Sequence, residues 1–156
     1  MTQSFDRRDF LRAGLAAGVG LGVMGLRLPT AHAAARSLAT PHAEKLGWHL
    51  GCQAYSFNKF TFFEAVDKTA SLGLGYIEGF PGQQISKEIS AVIGPTMSAD
   101  YRKAIQQKMA DSGIKMLTYG VCNLPKDAAR PTFEFAKAMG IETIVSEPTE
   151  DAFDNL

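Results

Sequence analysis

The chain has 156 residues, with 16 basic and 16 acidic side chains and a formal net charge of zero. This balance argues against a nucleic-acid or anionic-membrane partner, since either would require a basic surface. A chain of this length can bury one modest core. Its two cysteines, Cys52 and Cys122, could form a disulfide, but two lone cysteines on separate predicted strands are more typical of buried small apolar residues.

The first 33 residues have the order of an export signal. Arg7-Arg8 precedes a Gly/Ala/Leu-rich run at 13–26, and Ala31-His32-Ala33 provides a small-residue cleavage site. The run is shorter than the ~20 apolar residues of a spanning helix, so we expect no stable membrane span. The paired arginines resemble a twin-arginine signal, which implies the twin-arginine translocation machinery as a partner and a periplasmic location. The alternatives are an ordinary membrane-anchored N-terminus or a chance Arg-Arg. Residues 34–46 are small and polar and predict a flexible lead-in.

From residue 47 onward, helical patterns alternate with β-favouring runs. Three helical patterns end at Gly73, Gly113 and Gly140, each followed by an aliphatic strand segment. The first strand is predicted at 48–55, and the order is β-α-β-α-β-α-β-α. Strict alternation predicts a parallel sheet, as an open doubly wound sheet or a (β/α)8 barrel. A G-x-G-x-x-G fingerprint is absent, and four βα units occupy about 110 residues. We therefore predict the N-terminal half of a (β/α)8 TIM barrel at 47–156, ending inside its fourth helix.

Local signals define the helices and one long loop. Thr61 and Glu64 form a predicted capping box, and Ser98 is a predicted N-cap. A third helix is predicted at 127–139 with Pro131 in its first turn. A fourth helix is predicted to open at Thr149. The connection at 81–97 is long for a βα loop and suggests a lid or substrate-shaping loop with a helical turn at 86–89, or else a surface insert.

Several stretches resemble one family. They are Gly51-Cys52-Gln53-Ala54-Tyr55-Ser56-Phe57, Thr61-Phe62-Phe63-Glu64-Ala65, Tyr76-Ile77-Glu78-Gly79-Phe80-Pro81-Gly82, Thr118-Tyr119-Gly120-Val121 and Phe133-Glu134-Phe135-Ala136-Lys137 through to Ile144-Val145-Ser146-Glu147-Pro148. Together they resemble exported sugar phosphate isomerase/epimerase-like proteins of the xylose-isomerase-like TIM barrels. The resemblance implies proton transfer on a sugar beside a divalent metal (Mn, Mg, Co or Zn), with most metal ligands on the later strands. Because those strands are not in this sequence, we expect the 156-residue chain alone to be inactive.

Two carboxylates are the candidate catalytic residues. Glu147 precedes Pro148, which ends the fourth strand, so its carboxylate could bind the metal or act as a base. Alternatively, its negative charge could only stabilise the positive end of the dipole of the helix that follows. Glu78 ends the second strand in an apolar setting, where a charge requires a partner such as substrate, metal or a basic side chain. Together they would form the carboxylate pair that proton transfer between sugar carbons needs.

The candidate substrate-binding residues are Tyr55, Tyr119, Gln53 and Asn123, all near predicted strand exits. A tyrosine offers an aromatic face and a hydroxyl to a sugar, although a tyrosine in the barrel core is the commoner case. His49 is less promising, because it enters the first strand at the opposite end of the barrel.

Three functions remain open: a sugar isomerase or epimerase, a lyase or deglycosidase acting on oxidised glycosides, and a non-catalytic sugar-binding module. All three have a small-molecule sugar as the partner. The end strands of a half-barrel would be unpaired, so we expect dimerisation through those edges or poor solubility if the 156 residues are the whole product.

Overall fold

The computed structural model describes residues 40–155, so the predicted export signal lies outside the described residues. Four strands alternate with helices along the chain. The elements are α1 (Pro41–Lys45), β1 (Gly51–Gln53), α2 (Phe62–Ser71), β2 (Tyr76–Gly79), α3 (Ala99–Ser112), β3 (Lys115–Leu124), α4 (Lys126–Met139) and β4 (Thr143–Pro148). Two 3₁₀ helices follow β1 and β4, at Ala54–Phe57 and Glu150–Asn155. Between residues 40 and 155, no helix has the length and apolar character needed to cross a membrane.

The strands form one sheet in the order β1-β2-β3-β4, and each neighbouring pair is parallel. This confirms the predicted α/β class with alternating βα units, and the sheet is consistent with half of a TIM barrel. In a parallel sheet all strands end at the same edge. The loops after β1, β2, β3 and β4 therefore share one side of the molecule, where barrel enzymes place their active sites.

The two faces of the sheet have different surroundings. Ile77, Met116 and Tyr119 are buried and cluster with helix residues such as Phe62 and Phe135. Because strand side chains alternate, the intervening residues point to the opposite face. We call this second face the open face; it carries Gln53, Glu78, Thr118, Thr143, Val145 and Glu147. These residues are half-buried or exposed, so the described residues do not cover this face.

The predicted helix signals are confirmed. The Thr61 hydroxyl accepts a hydrogen bond from the Glu64 N–H, and the Glu64 carboxylate accepts one from the Thr61 N–H at 2.9 Å. Ser98 caps α3 through the Tyr101 N–H. The glycines that follow α2, α3 and α4 all have φ near +70°, a conformation that ends a helix with little strain only at glycine.

Five local predictions differ from the structure. Strand β1 spans three residues rather than eight, because the chain turns into a 3₁₀ helix directly after Gln53. Pro131 is the sixth residue of α4, beyond its first turn, since the helix begins at Lys126. The predicted fourth helix is a 3₁₀ helix. Residues 86–89 form no helix, and part of the predicted flexible lead-in forms α1, where Ala43 is buried.

Both cysteines are free, and Cys122 is buried.

The long connection at 81–97 is anchored to the core. Ile85 and Ile93 are fully buried, and Gln84 pairs with Val92 in an antiparallel bridge. The carbonyl groups of Gln84 and Ile85 accept hydrogen bonds from the first N–H groups of α2, at 2.8 and 3.0 Å. This loop therefore completes the start of α2 and fills the space beside the sheet. Such a role fits a fixed wall better than a moving lid.

Candidate functional site

A hydrogen-bonded pair stands at the carboxyl ends of the first two strands. Gln53 and Glu78 lie opposite each other in the β1–β2 register, and Thr118 extends the row onto β3. The Gln53 Nε2 donates to Glu78 Oε1 at 2.6 Å and to the Gly120 carbonyl at 3.3 Å. An amide nitrogen has two hydrogens, so this geometry uses both. Gln53 thus fixes the Glu78 carboxylate relative to β3 and retains only its own Oε1 to accept from a ligand.

This pair supplies the partner that the sequence predicted for Glu78. The partner is a neutral amide rather than a basic side chain. Glu78 is half-buried, which leaves part of the group accessible from the open face. A carboxylate held in one orientation and still accessible is suited to accept a proton or to bind a polar ligand.

A cleft of about 400 Å³ borders the pair on the open face and extends from it towards the amino ends of the strands. Its polar walls include Thr118, Thr143 and Glu142, and the His49 and Tyr76 rings meet there at 4.5 Å between centroids. Sequence reasoning did not assign these residues to a site. Thr118 and Thr143 share the row of Glu78 across β3 and β4, and a single sequence does not determine this register.

Glu147 and Asn123 form a second group at the ends of β4 and β3. They lie opposite each other in the β3–β4 register, and both are exposed. On β4, Thr143 lies in the same row as Glu78, and Glu147 is four residues further along the strand. At ~3.3 Å per residue, Glu147 is therefore ~13 Å beyond the row of Glu78. The structure therefore does not bring Glu78 and Glu147 together as one carboxylate pair.

Tyr55 borders a second cleft, of about 530 Å³, on the side of the loops that follow β1 and β2. It lies in the 3₁₀ helix, is 55% exposed, and meets Phe80 edge-on at 5.1 Å between ring centroids. Phe60, Lys59 and Gln83 also line this cleft. Its exposed aromatic rings beside amide and ammonium groups could contact a sugar ring.

Tyr119 lies on the other side of the sheet. Its side chain is 1% exposed and packs edge-on against Phe135 at 5.1 Å between ring centroids. Its hydroxyl has no hydrogen-bond partner among the described residues, and burial raises the pKa of this phenol. Tyr119 is one residue beyond Thr118, so strand alternation directs it into the core between sheet and helices. The structure does not place it with the other candidate substrate-binding residues.

An ion pair lies at the rim of the second cleft. The Lys87 ammonium is 2.9 Å from the Glu64 carboxylate, which also accepts hydrogen bonds from the Thr61 N–H and hydroxyl. The Lys87 hydrogen bond, followed by those of Thr61, lowers the pKa of Glu64 from 4.5 to about 2. This carboxylate is committed to helix capping and an ion pair, so it is not a candidate base.

Comparisons with known proteins support the fold. No protein-family model matches the chain, and no curated protein matches it at a significant level. Among solved structures, it is similar to an uncharacterized protein from Parabacteroides distasonis ATCC 8503, with a TM-score of 0.64 and 27% sequence identity. The match covers 69% of this chain and 46% of that protein. The chain therefore corresponds to less than half of the length of this neighbour.

The described residues do not form a metal site of their own. Between residues 40 and 155, no group of three or more His, Cys, Asp or Glu side chains is arranged to hold a metal ion. The two carboxylates of interest have amide neighbours, with Gln53 beside Glu78 and Asn123 beside Glu147. Each offers one carboxylate ligand, which is fewer than a bound Mn²⁺, Mg²⁺ or Zn²⁺ ordinarily takes from a protein.

Proposed function

We propose that this chain provides the N-terminal part of a sugar phosphate isomerase/epimerase-like protein, in which the open face of the sheet binds a sugar or sugar derivative. One observation carries the proposal. The accessible Glu78 carboxylate borders a cleft of about 400 Å³ that extends towards the amino ends of the strands, and Gln53 holds it at 2.6 Å at the carboxyl end of β1. Sites of α/β proteins characteristically lie at this end of the strands.

In this proposal the chain's own residues bind the sugar and hold a proton. Glu78 would accept a hydrogen bond from a sugar hydroxyl, or it would take a proton from the carbon beside the sugar carbonyl and return it to the resulting enediolate. Gln53 would keep the carboxylate facing the cleft, and its Oε1 would accept a second hydroxyl. Tyr55 lines the second cleft and not this one, so its aromatic face would contact only a part of the substrate that extends into that cleft.

A divalent metal belongs to the proposal, and it would supply polarisation of the sugar oxygens. From this chain Glu147 would be one ligand, with Asn123 beside it, and the remaining ligands would have to come from outside residues 40–155. We therefore expect the 156-residue chain alone to bind sugar without turning it over. Export by the twin-arginine route, and hence a periplasmic location, is part of the same proposal.

The experiment is calorimetric titration of the chain with a panel of pentoses, hexoses and their phosphates, with Mn²⁺ and with chelator. We expect millimolar binding that weakens at least tenfold in Glu78→Leu and is unchanged in Glu134→Leu, a matched exposed carboxylate on α4. Binding that chelator leaves unchanged would favour a non-catalytic sugar-binding module. Absence of binding across the panel, or equal binding by both variants, would contradict the proposed site.

Product analysis addresses the reaction. Because we expect no turnover by the chain alone, this test uses a longer protein that carries the chain together with the remaining strands: NMR in D₂O distinguishes an isomeric sugar carrying deuterium from a released aglycone. The first outcome supports an isomerase or epimerase, and the second supports a lyase or deglycosidase on oxidised glycosides.

A further inference from the structure

The second cleft, of about 530 Å³, is lined by side chains of the kind that bind carbohydrate. Its walls come from the connection after β1, the first turn of α2 and the connection after β2, and all three lie wholly within the described residues. Three aromatic and three amide side chains line it: Tyr55, Phe60, Phe80, Asn58, Gln83 and Gln84. Aromatic rings contact the apolar C–H face of a sugar, and amides both donate to and accept from its hydroxyl groups.

Gln83 provides a buried acceptor that has no partner in the described part of the chain. Its side chain lines the second cleft and is only 4% exposed. The Nε2 donates to the Phe60 carbonyl at 3.1 Å, which fixes the orientation of the amide, and the Oε1 accepts no hydrogen bond from a described residue. Burying an acceptor without a hydrogen bond is unfavourable. A ligand hydroxyl that enters the cleft is a donor of the kind that this oxygen requires.

Tyr55 is the ring best placed to contact a sugar. It is 55% exposed, and Phe80 meets it edge-on at 5.1 Å between ring centroids. Phe60 is 44% exposed, but the Lys68 ammonium lies 4.0 Å from its centroid. A cation over a ring uses the negative charge of that face, which would otherwise attract the C–H groups of a sugar. The geometry therefore favours Tyr55 as the platform.

The charges of the second cleft favour an uncharged ligand. Its charged lining residues are Lys59, Glu64 and Lys87, and the Lys87 ammonium is 2.9 Å from the Glu64 carboxylate. This ion pair leaves the ammonium of Lys59 beside three amides. The first N–H groups of α2 already donate to the carbonyl groups of Gln84 and Ile85. An anion site combines several cationic or backbone N–H donors, whereas one ammonium beside amides suits hydroxyl groups.

The walls of the second cleft are joined without a ligand. Three contacts cross between them: Gln83 Nε2 to the Phe60 carbonyl at 3.1 Å, the Phe62 N–H to the Gln84 carbonyl at 2.8 Å, and Lys87 to Glu64 at 2.9 Å. A cleft that is already formed loses less conformational freedom when a ligand binds, so more of the contact energy appears as affinity.

The second cleft lies next to the Gln53–Glu78 pair. Phe80 follows Glu78 by two residues, so their Cα atoms are at most ~7 Å apart, and Tyr55 likewise follows Gln53 by two. We propose that the second cleft holds one ring of a carbohydrate whose other ring lies at Glu78, so that the ligand of this chain is a glycoside of two linked rings. The position of the ring at Glu78 rests on the proposed function, whereas the occupation of the second cleft does not.

Calorimetric titration of the full 156-residue chain compares maltose, cellobiose and lactose with their component monosaccharides, glucose and galactose. We expect at least one disaccharide to bind at least tenfold more tightly than its components. Tyr55→Ala should remove this advantage and leave monosaccharide binding unchanged. Tyr101→Ala is the matched control: Tyr101 is 39% exposed on α3 and lines neither cleft, so this variant should bind both classes of sugar like the unsubstituted chain.

Glu78→Leu separates this inference from the proposed function. It should weaken the binding of monosaccharides and disaccharides alike, because both would place a ring at Glu78. If Glu78→Leu weakens disaccharide binding and Tyr55→Ala does not, the inference is overturned and the proposed function stands. The reverse result supports the second cleft and contradicts the site at Glu78.

NMR of the side-chain amides tests the same contacts without a substitution. The Gln83 and Asn58 signals should shift with the disaccharide and stay in place with the monosaccharides, and the signal of Gln107, on the exposed side of α3, should stay in place with both. Three results would each overturn the proposal: disaccharides that bind no more tightly than monosaccharides, a bound disaccharide that leaves the Gln83 signal unchanged, and displacement of the disaccharide by inorganic phosphate.

Discussion

The hydrogen bond between Gln53 and Glu78 can be measured as a coupling energy. A hydrogen bond to a charged group contributes about 1.5–3 kcal/mol when solvent is excluded. Both side chains are half-buried, so we expect the lower end, about 1.5 kcal/mol. The variants Gln53→Leu and Glu78→Leu, singly and together, form a double-mutant cycle that isolates this value from other losses.

Urea denaturation of the four proteins supplies the free energies of unfolding. A coupling of about 1.5 kcal/mol means that the second substitution lowers the free energy of unfolding by that much less when the first substitution is already present. With a slope of about 1–3 kcal/mol per molar urea, the differences correspond to measurable shifts of the midpoint. Circular dichroism follows the helices, which neither substitution touches.

A matched pair elsewhere in the chain is the control. The Gln107 Nε2 donates to Asp111 Oδ1 at 2.7 Å, an amide–carboxylate bond of similar length on the exposed side of α3. Exposed pairs at this helical spacing contribute only about 0.2–0.5 kcal/mol. If the coupling of Gln53 with Glu78 is no larger than that of the control pair, then burial does not strengthen this bond, and Gln53 does not hold the carboxylate.

Three further predictions concern the core and the loop side. In thermal denaturation, Tyr119→Phe should leave the free energy of unfolding unchanged or raise it by up to about 1 kcal/mol, because the buried hydroxyl has no partner among the described residues. Tyr119→Ala should lower it by about 3–5 kcal/mol, because it removes a buried aromatic ring. A clear loss in Tyr119→Phe would show that its hydroxyl is bonded. Gly120→Ala should lower the free energy of unfolding by at least about 2 kcal/mol, since the added Cβ would collide with the β4 backbone. Gly75→Ala is the control: no atom lies within 4 Å of its added Cβ, so the free energy of unfolding should change by no more than about 0.5 kcal/mol in the same assay. Because the folded-state pKa of Glu64 is lowered to about 2, its contribution to stability is complete above about pH 4.5 and is lost as the pH falls towards 2. Glu64→Gln should therefore reduce the loss of stability over that range in acid titrations, and an unchanged acid profile would contradict the role of the Lys87 ion pair.

Local signals in the sequence predicted most of the fold. The Thr61 and Ser98 caps and the three glycines past the helices act within a few residues, so they marked the boundaries of α2, α3 and α4 without tertiary information. The alternation of helices and strands then implied a parallel sheet. The short β1 was missed because no glycine, proline or capping signal in Ala54–Phe57 marks the end of the strand, and this segment forms a 3₁₀ helix.

The site was predicted in part. Its position at the strand ends follows from the parallel order, and Glu78 and Gln53 were both named from the sequence. Their bond to each other depends on the β1–β2 register, which a single sequence does not determine. The orientation of Tyr119 has the same cause, since neighbouring strand residues face opposite sides and one residue of register decides which reaches the cleft.

The most direct test of the proposed site is the NMR signal of the Gln53 side-chain amide during titration with the sugar that binds best in calorimetry. We predict that this signal and the Thr118 backbone amide shift together and saturate with the calorimetric affinity, and that the Gln107 side-chain amide stays fixed. Saturable binding that leaves the Gln53 and Thr118 signals in place would show that the sugar binds elsewhere, and it would contradict the assignment of the open face as the site.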